Sequence, residues 1–159
     1  ESEIRTMLKA DQKTEEHLQS KYGEVLSKDN TVSLHVRRGD YIGKEQFHPI
    51  IDKGYYEQAI EKHSGATFLV FSDDISWCKD NLPEGPEYVF VEGNKDYEDL
   101  YLMSKCAHNI IANSSFSWWG AWLNENKDKQ VTAPSIWFGP ALLPSHDLKD
   151  LLPDEWEVK

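Results

Sequence analysis

The chain has 159 residues, 28 acidic against 17 basic, and a formal net charge of -11. That balance excludes nucleic acid and anionic membrane as general partners, since both need a broad basic face, but leaves room for a small anionic ligand held by a local cluster. With 12% aromatic residues, six of them tryptophan, this is no disordered tail, and the length suits one domain with its own core.

Residues 2–28 are polar with apolar positions at Ile4, Met7, Leu8, Leu18, Tyr22, Val25 and Leu26, which predicts a helix frayed across Asp11–Glu16. Thr31–Val36 is a β-branched strand bounded by Asp29-Asn30 and by Arg37-Arg38-Gly39-Asp40. Asp52-Lys53-Gly54 then opens a helix over Tyr55–His63. The alternation repeats: strand Thr67–Phe71 into Ser72-Asp73-Asp74, and helix Ile75–Leu82 stopped before Pro83. Strand Tyr88–Val91 precedes helix Asp96–Cys106, whose Leu100, Met103 and Ala107 share a face. Strand Asn109–Ala112 leads into a tryptophan-rich helix over Phe116–Asn124. Val131–Ala133 is the last strand, before a proline-punctuated tail with a turn at His146–Leu152.

About five strands alternating with helices predict an α/β fold, a three-layer doubly wound and mostly parallel sheet with right-handed crossovers. No repeat or linker interrupts residues 1–159, so a single domain is expected, with an N-terminal helix over 1–28 and an α/β core over 29–159. Cys78 and Cys106 are far apart and outside any metal or disulfide pattern, so buried thiols are expected. No stretch is apolar enough to span a bilayer and no signal peptide is visible. The first residue is Glu1, which suggests an excised domain or a processed product.

Three motifs fall at the carboxyl ends of predicted strands, the edge where doubly wound sheets bind ligands. On the first strand Val32, Leu34 and Val36 face one side, and Ser33, His35 and Arg37 the other. Arg37 and Arg38 offer planar, permanently charged forks for phosphate oxygens, with Asp40 able to orient one of them and Gly39 permitting the turn. A surface ion-pair cluster is the bland alternative. An adhesion tripeptide, Arg38-Gly39-Asp40, would need an exposed mobile loop tip, and these residues abut a core strand. Ser72-Asp73-Asp74 offers a helix cap from Ser72 or Asp73, a metal site lacking further ligands, or a carboxylate that accepts the two N–H donors of a guanine edge. Asn113-Ser114-Ser115-Phe116-Ser117 leaves hydroxyl and backbone N–H groups at a helix start, fitting either a phosphate site or a plain N-cap. Trp118, Trp119 and Trp122 read mostly as core. Asn113-Ser114-Ser115 also fits a glycosylation sequon, but a glycan there would block the edge.

The ordered set His35-Val36-Arg37-Arg38-Gly39-Asp40-Tyr41, Phe47-His48-Pro49-Ile50, Phe71-Ser72-Asp73-Asp74, His108–Leu123 and Trp137-Phe138-Gly139-Pro140 resembles family 11 glycosyltransferases, the α-1,2-fucosyltransferases that use GDP-fucose. The resemblance runs from about residue 31 to the C-terminus. It implies the Rossmann-like half of a GT-B-type enzyme and an inverting, metal-independent transfer of fucose from GDP-fucose to a sugar hydroxyl, with galactose O2 as the expected acceptor atom. No cofactor or metal is implied; the partners are the nucleotide sugar and a glycan acceptor. By resemblance Arg37 and Arg38 bind the diphosphate and steady the leaving group, and His35 and Asp73 hold the guanosine with support from Asp74. Ser115, Phe116 and Ser117 contact phosphate, alongside Ser114 at the same junction. Glu45 matches the offset of a base glutamate in related α-1,6-fucosyltransferases, with Asp40 the second candidate. The Gly-Asn-rich motif of the family's first domain is absent, which implies the donor-binding half completed by another domain. A transferase for another nucleotide sugar and a non-catalytic GDP-sugar-binding module are the alternatives. A bacterial or viral source would put it in the cytoplasm, an animal one in the Golgi lumen.

Overall fold

Strands Thr31–Val36 (β1), Thr67–Ser72 (β2), Tyr88–Phe90 (β3), His108–Ile110 (β4), Val131–Ala133 (β5) and Glu157–Val158 (β6) form one sheet in the computed structural model, which describes all 159 residues. Every pairing is parallel and the order is β3-β2-β1-β4-β5-β6. The chain thus winds outward from β1 to one side, then returns to β4 on the other. β1 and β4 flank the point where the winding reverses, the place where doubly wound sheets take ligands at the carboxyl ends of their strands.

Six helices join these strands: Ser2–Met7 (α1), Gln12–Leu26 (α2), Lys53–Glu61 (α3), Ile75–Asn81 (α4), Asp96–Lys105 (α5) and Ser115–Leu123 (α6). α3 and α4 cover one face, where Tyr56, Ala59 and Cys78 pack on Val32, Leu34, Val36, Phe68 and Val70. α2 and α5 cover the other, burying Leu18, Tyr22, Leu102 and Met103 against Leu69 and Phe71. A third cluster lies under α6, where Ala121 and Trp156 meet Ile111 and Val131. Leu69 and Leu102 are fully buried, and truncating either to alanine should cost about 2–5 kcal/mol. One buried polar network spans both halves of the sheet: Asn109 Nδ2 donates to Ser33 Oγ (2.7 Å) and to the Met103 carbonyl (2.9 Å), and Asn124 Nδ2 donates to Asn109 Oδ1 (2.8 Å). Gly120 allows α5 and α6 to approach, since a Cβ there would stand 2.9 Å from Met103 Cβ.

Several expectations need correction. The predicted first helix is two helices. The break falls at Leu8–Asp11 rather than Asp11–Glu16, because the Asp11 side chain caps α2 by accepting from the Thr14 amide (2.8 Å). The sheet has six strands rather than five; β6 is two exposed residues held by β5 and carries no apolar signal. The tail makes the predicted turn within His146–Leu152, closed by the Leu151 amide on the Leu148 carbonyl (3.1 Å), and a further 3-10 turn at Leu143–Ser145 that was not expected. Ala107 lies beyond the end of α5, so it shares no helix face with Met103. Trp118, Trp119 and Trp122 are half-buried in a cluster of edge-on and stacked rings rather than deep core. Cys78 and Cys106 are buried free thiols as expected, pushed by burial up to about 11 and about 12.

Candidate functional site

The strand register brings the first two motifs together. Val36 pairs with Ser72, so the chain leaves β1 and β2 side by side, with Arg37-Arg38 next to Asp73-Asp74. Asp73 ties the loops: its Oδ1 accepts from the Arg38 amide and its Oδ2 from the Asp40 amide, both at 3.0 Å. Arg37 Nε lies 3.6 Å from the same carboxylate. Burial alone would raise the Asp73 carboxyl, but these amides and the Arg37 charge outweigh it and hold it below its ordinary value. Gly39 has no positive φ; its place is set by close approach, since a Cβ there would stand 3.0 Å from Asp73 Oδ2.

The two arginines differ. Arg37 is gripped by Asp40 in a two-pronged bond, Nε to Oδ1 at 2.8 Å and Nη2 to Oδ2 at 2.5 Å. Burial works against its charge, but Asp40 and Asp73 more than compensate and hold it protonated. The Asp40 carboxylate is thereby committed, which also removes it as an adhesion ligand. Arg38 lies over the Trp77 ring (5.0 Å to the centroid), and its Nε stands 3.3 Å from Asp74 Oδ2 without hydrogen-bond alignment. No chain group bonds the rest of its fork. Asp74 itself caps α4 by accepting from the Trp77 amide (3.2 Å), so the cap is Asp74 rather than Ser72 or Asp73. Ser72 Oγ instead accepts from the Asp74 amide.

The third motif arrives from β4, on the other side of the point where the winding reverses. α6 starts at Ser115, and the amides of Ser115, Phe116 and Ser117 find no acceptor in the backbone. Ser114 is its N-cap by position, but its side chain makes no capping bond. Ser117 Oγ is buried, accepting from the Ala112 amide (3.3 Å) and donating to the Ser114 carbonyl (3.4 Å). Three free N–H groups at the positive end of a helix suit an anion. Ser115 is exposed, Phe116 half-exposed.

His35 sits beneath the carboxyl edge, 3% exposed, its ring 5.7 Å from that of Phe116. Burial first, and then the Arg37 charge, push its pKa down to about 3 against the opposing pull of Asp73. It is therefore a neutral imidazole, and its buried Nδ1 has no partner. Glu45 forms no ion pair with Arg37 or Arg38: its carboxylate folds back to accept from the Gly43 amide (2.9 Å), which holds it below its ordinary value.

Sequence reading missed three contributors. The Tyr41 hydroxyl donates to the Asn113 carbonyl (3.1 Å), joining the β1 loop to the β4 loop. Asn113 is buried with both its amide hydrogens engaged, which closes the sequon to a glycan. Gly139 lets the loop after β5 touch the β1–α3 loop. The glycine between Phe138 and Pro140 was the available signal. Two hollows, of about 480 and 740 Å³, lie elsewhere, among α1, α2 and α5, lined by residues such as Met7, Leu8 and Tyr101. The first is lined by Arg5, Lys9 and Lys105 beside the acidic Asp11 and Glu15, and the start of α2 there is capped by the Asp11 side chain. No group of three or more His, Cys, Asp or Glu side chains is arranged to hold a metal ion.

Comparison with known proteins gives this edge a lineage. Residues 3–139 match the Glycosyl transferase family 11 description. The chain is 45% identical to the O-antigen biosynthesis glycosyltransferase WbnK of Escherichia coli, covering 69% of this chain and 39% of that protein. It is 41% identical to an alpha-1,2-colitosyltransferase of Escherichia coli, covering 84% of this chain and 49% of that one. It is also 33% identical to the mouse galactoside 2-alpha-L-fucosyltransferase Sec1, covering 58% of this chain and 28% of that protein. The chain thus spans less than half the length of these relatives. Among solved structures, the fucosyltransferase NodZ from Bradyrhizobium shares the fold at a TM-score of 0.52 and 16% identity, over 71% of this chain and 42% of NodZ. A crystal of NodZ alpha-1,6-fucosyltransferase soaked with GDP-fucose gives a TM-score of 0.51 at 17% identity, over 72% of this chain and 42% of that one. By the family match and these identities, the chain belongs to glycosyltransferase family 11.

Proposed function

We propose that this chain is the donor-binding half of a transferase that moves fucose from GDP-fucose to a glycan hydroxyl, galactose O2 in our reading, with inversion and without a metal. The observation that carries it is the placing of two anion-binding devices at the β1–β4 edge: the Arg37–Arg38 loop and the three free amides of α6. Arg38, with its fork end free, takes the diphosphate. Arg37, oriented by Asp40, stabilises charge building on the departing GDP, as fixed cations do in the absence of a metal. Ser114 to Ser117 hold the second phosphate through the α6 amides.

Asp73 acts first by shaping the arginine loop. Its remaining lone pairs, with Asp74 and the neutral His35, are our candidates for the guanosine. Asp40 is committed to Arg37, so Glu45 is the stronger candidate for the base that deprotonates the acceptor, swinging out from Gly43 when the acceptor binds. The acceptor surface is contributed by another domain. A cytoplasmic setting fits a bacterial source and a Golgi setting an animal one.

Calorimetric titration of the chain with GDP, GDP-fucose and UDP tests the reading. GDP and GDP-fucose should bind with EDTA present, UDP weakly, and Arg38→Ala should weaken GDP binding roughly a hundredfold or more. Binding that favours UDP, or none at all, overturns it. A second reading, a donor carrying a different sugar, is favoured by the relative named for colitosyl transfer. GDP binding with indifference to the fucosyl group would select it.

A further inference from the structure

Three loops of the carboxyl edge meet at Asn113. Its side chain is 2% exposed, and Nδ2 donates to the Pro49 carbonyl (2.9 Å) before α3 and to the Trp137 carbonyl (3.2 Å) after β5. Its own main-chain carbonyl accepts the Tyr41 hydroxyl. The two outer loops also touch directly: the Gly139 amide donates to the Phe47 carbonyl (2.8 Å) and the Ala141 amide to the Gln46 carbonyl (2.9 Å). A Cβ on Gly139 would stand 2.4 Å from the Gln46 oxygen, so the contact is as close as a glycine permits. The ring of Phe138 faces His48 (6.2 Å), which stacks on Tyr41 (4.9 Å), and the Arg37 guanidinium lies 5.6 Å from the Tyr41 ring. Contacts therefore run without a gap from Asn113 to Arg37.

We propose that Asn113 is a positioning residue. It locks the segment 134–140 to the β1–α3 loop and thereby fixes Tyr41 and the Arg37–Asp40 pair, without touching a ligand. The proposal rests on the nucleotide-binding reading only for its functional consequence. Both partners of the side chain are carbonyl oxygens, so the position demands an N–H or O–H donor. Asn113 Oδ1 is buried without a partner, which makes the residue a costly choice unless the donor side matters.

The test compares Asn113→Ala and Asn113→Asp with the wild-type chain by amide hydrogen exchange and GDP titration. In Asn113→Ala the Gly139 and Ala141 amides should exchange roughly tenfold faster while β1 and β2 amides stay protected, and GDP affinity should fall roughly tenfold. Asn113→Asp should match the alanine variant at about pH 7.5, where an ionised carboxylate faces two carbonyls. At about pH 5 protonation, favoured by burial, restores a donor, and that variant should recover relative to wild type at the same pH. Unchanged exchange at Gly139 and Ala141, or an aspartate variant that never departs from alanine, overturns the proposal. If Asn113→Ala fails to fold, the pH recovery of Asn113→Asp decides alone. If the wild-type chain binds no GDP, the nucleotide reading falls and the exchange arm still judges the clamp.

Discussion

The two ends of the sheet use the same residue types in opposite ways. At the amino end polar groups pair among themselves. Thr31 Oγ1 accepts from the Ala107 amide, His108 Nδ1 from the Gln130 amide, and Lys62 forms an ion pair with Glu157. Lys129 donates to the carbonyls of Ala121 and Asn124 at the end of α6. At the carboxyl end, three buried atoms have no partner: His35 Nδ1, Arg38 Nε and Asn113 Oδ1. At the amino end Asn30 Oδ1 and Arg5 Nη1, beside the loop that enters β5, are also without a partner. Unsatisfied buried groups cost stability, and the larger share of them lies at the carboxyl edge, among the loops that carry the arginines and Asn113.

The largest test of this contrast is Arg38→Ala, which removes the one cation with a free fork. GDP affinity should drop by about 3 kcal/mol, roughly a hundredfold or more, with folding little changed. Equal affinity in this variant would return the arginine cluster to a surface role. Asp73→Ala should do both kinds of damage, because it strips the Arg38 and Asp40 amides of their acceptor. Denaturant unfolding should show a loss of about 1.5–3 kcal/mol, accompanied by weaker GDP binding.

Acid sharpens the contrast next. His35 and His63, held by burial at about 3 and about 4, stay neutral in the folded chain while the unfolded chain protonates near 6.5. The unfolded state then binds more protons, so stability rises with pH through that window, by about 1.4 kcal/mol per unit for each histidine. Asp99, raised by burial to about 6, has the opposite sign and offsets one of them up to that pH. Below 3.8 the Asp73 contribution is lost as well. Thermal melts from pH 4 to 7 should show the net rise, and His35→Phe should flatten it; a flat wild-type curve would contradict the burial of these imidazoles. The smallest effect belongs to the amino end: Lys62→Ala breaks a half-exposed pair and should cost under about 1 kcal/mol without altering GDP affinity.

Much of the fold was legible because its signals are local. The runs Thr31–Val36 and Val131–Ala133 mark two strands to the residue, and the alternation with helices forces parallel pairing. β6 was not legible, since Glu157-Val158 pairs only because β5 offers a free edge. The cap on α2 was legible in Asp11 yet overlooked beside the lapse of apolar positions. At the site, the arginines, the acidic pair and the serine-rich junction announced themselves by falling after strands. Their partners did not. Asp73 serving two amides more than thirty residues away depends on the β1–β2 register, and Asn113 gathering three loops depends on tertiary approach.

The central claim is that the nucleotide binds at the carboxyl edge between β1 and β4. Amide chemical-shift mapping during a GDP titration tests it directly. The account predicts that the largest changes fall on Arg38, Gly39, Ser115, Phe116 and Ser117. Changes centred on Met7, Leu8, Tyr101 and Lys105, around the hollow of about 480 Å³, would contradict it.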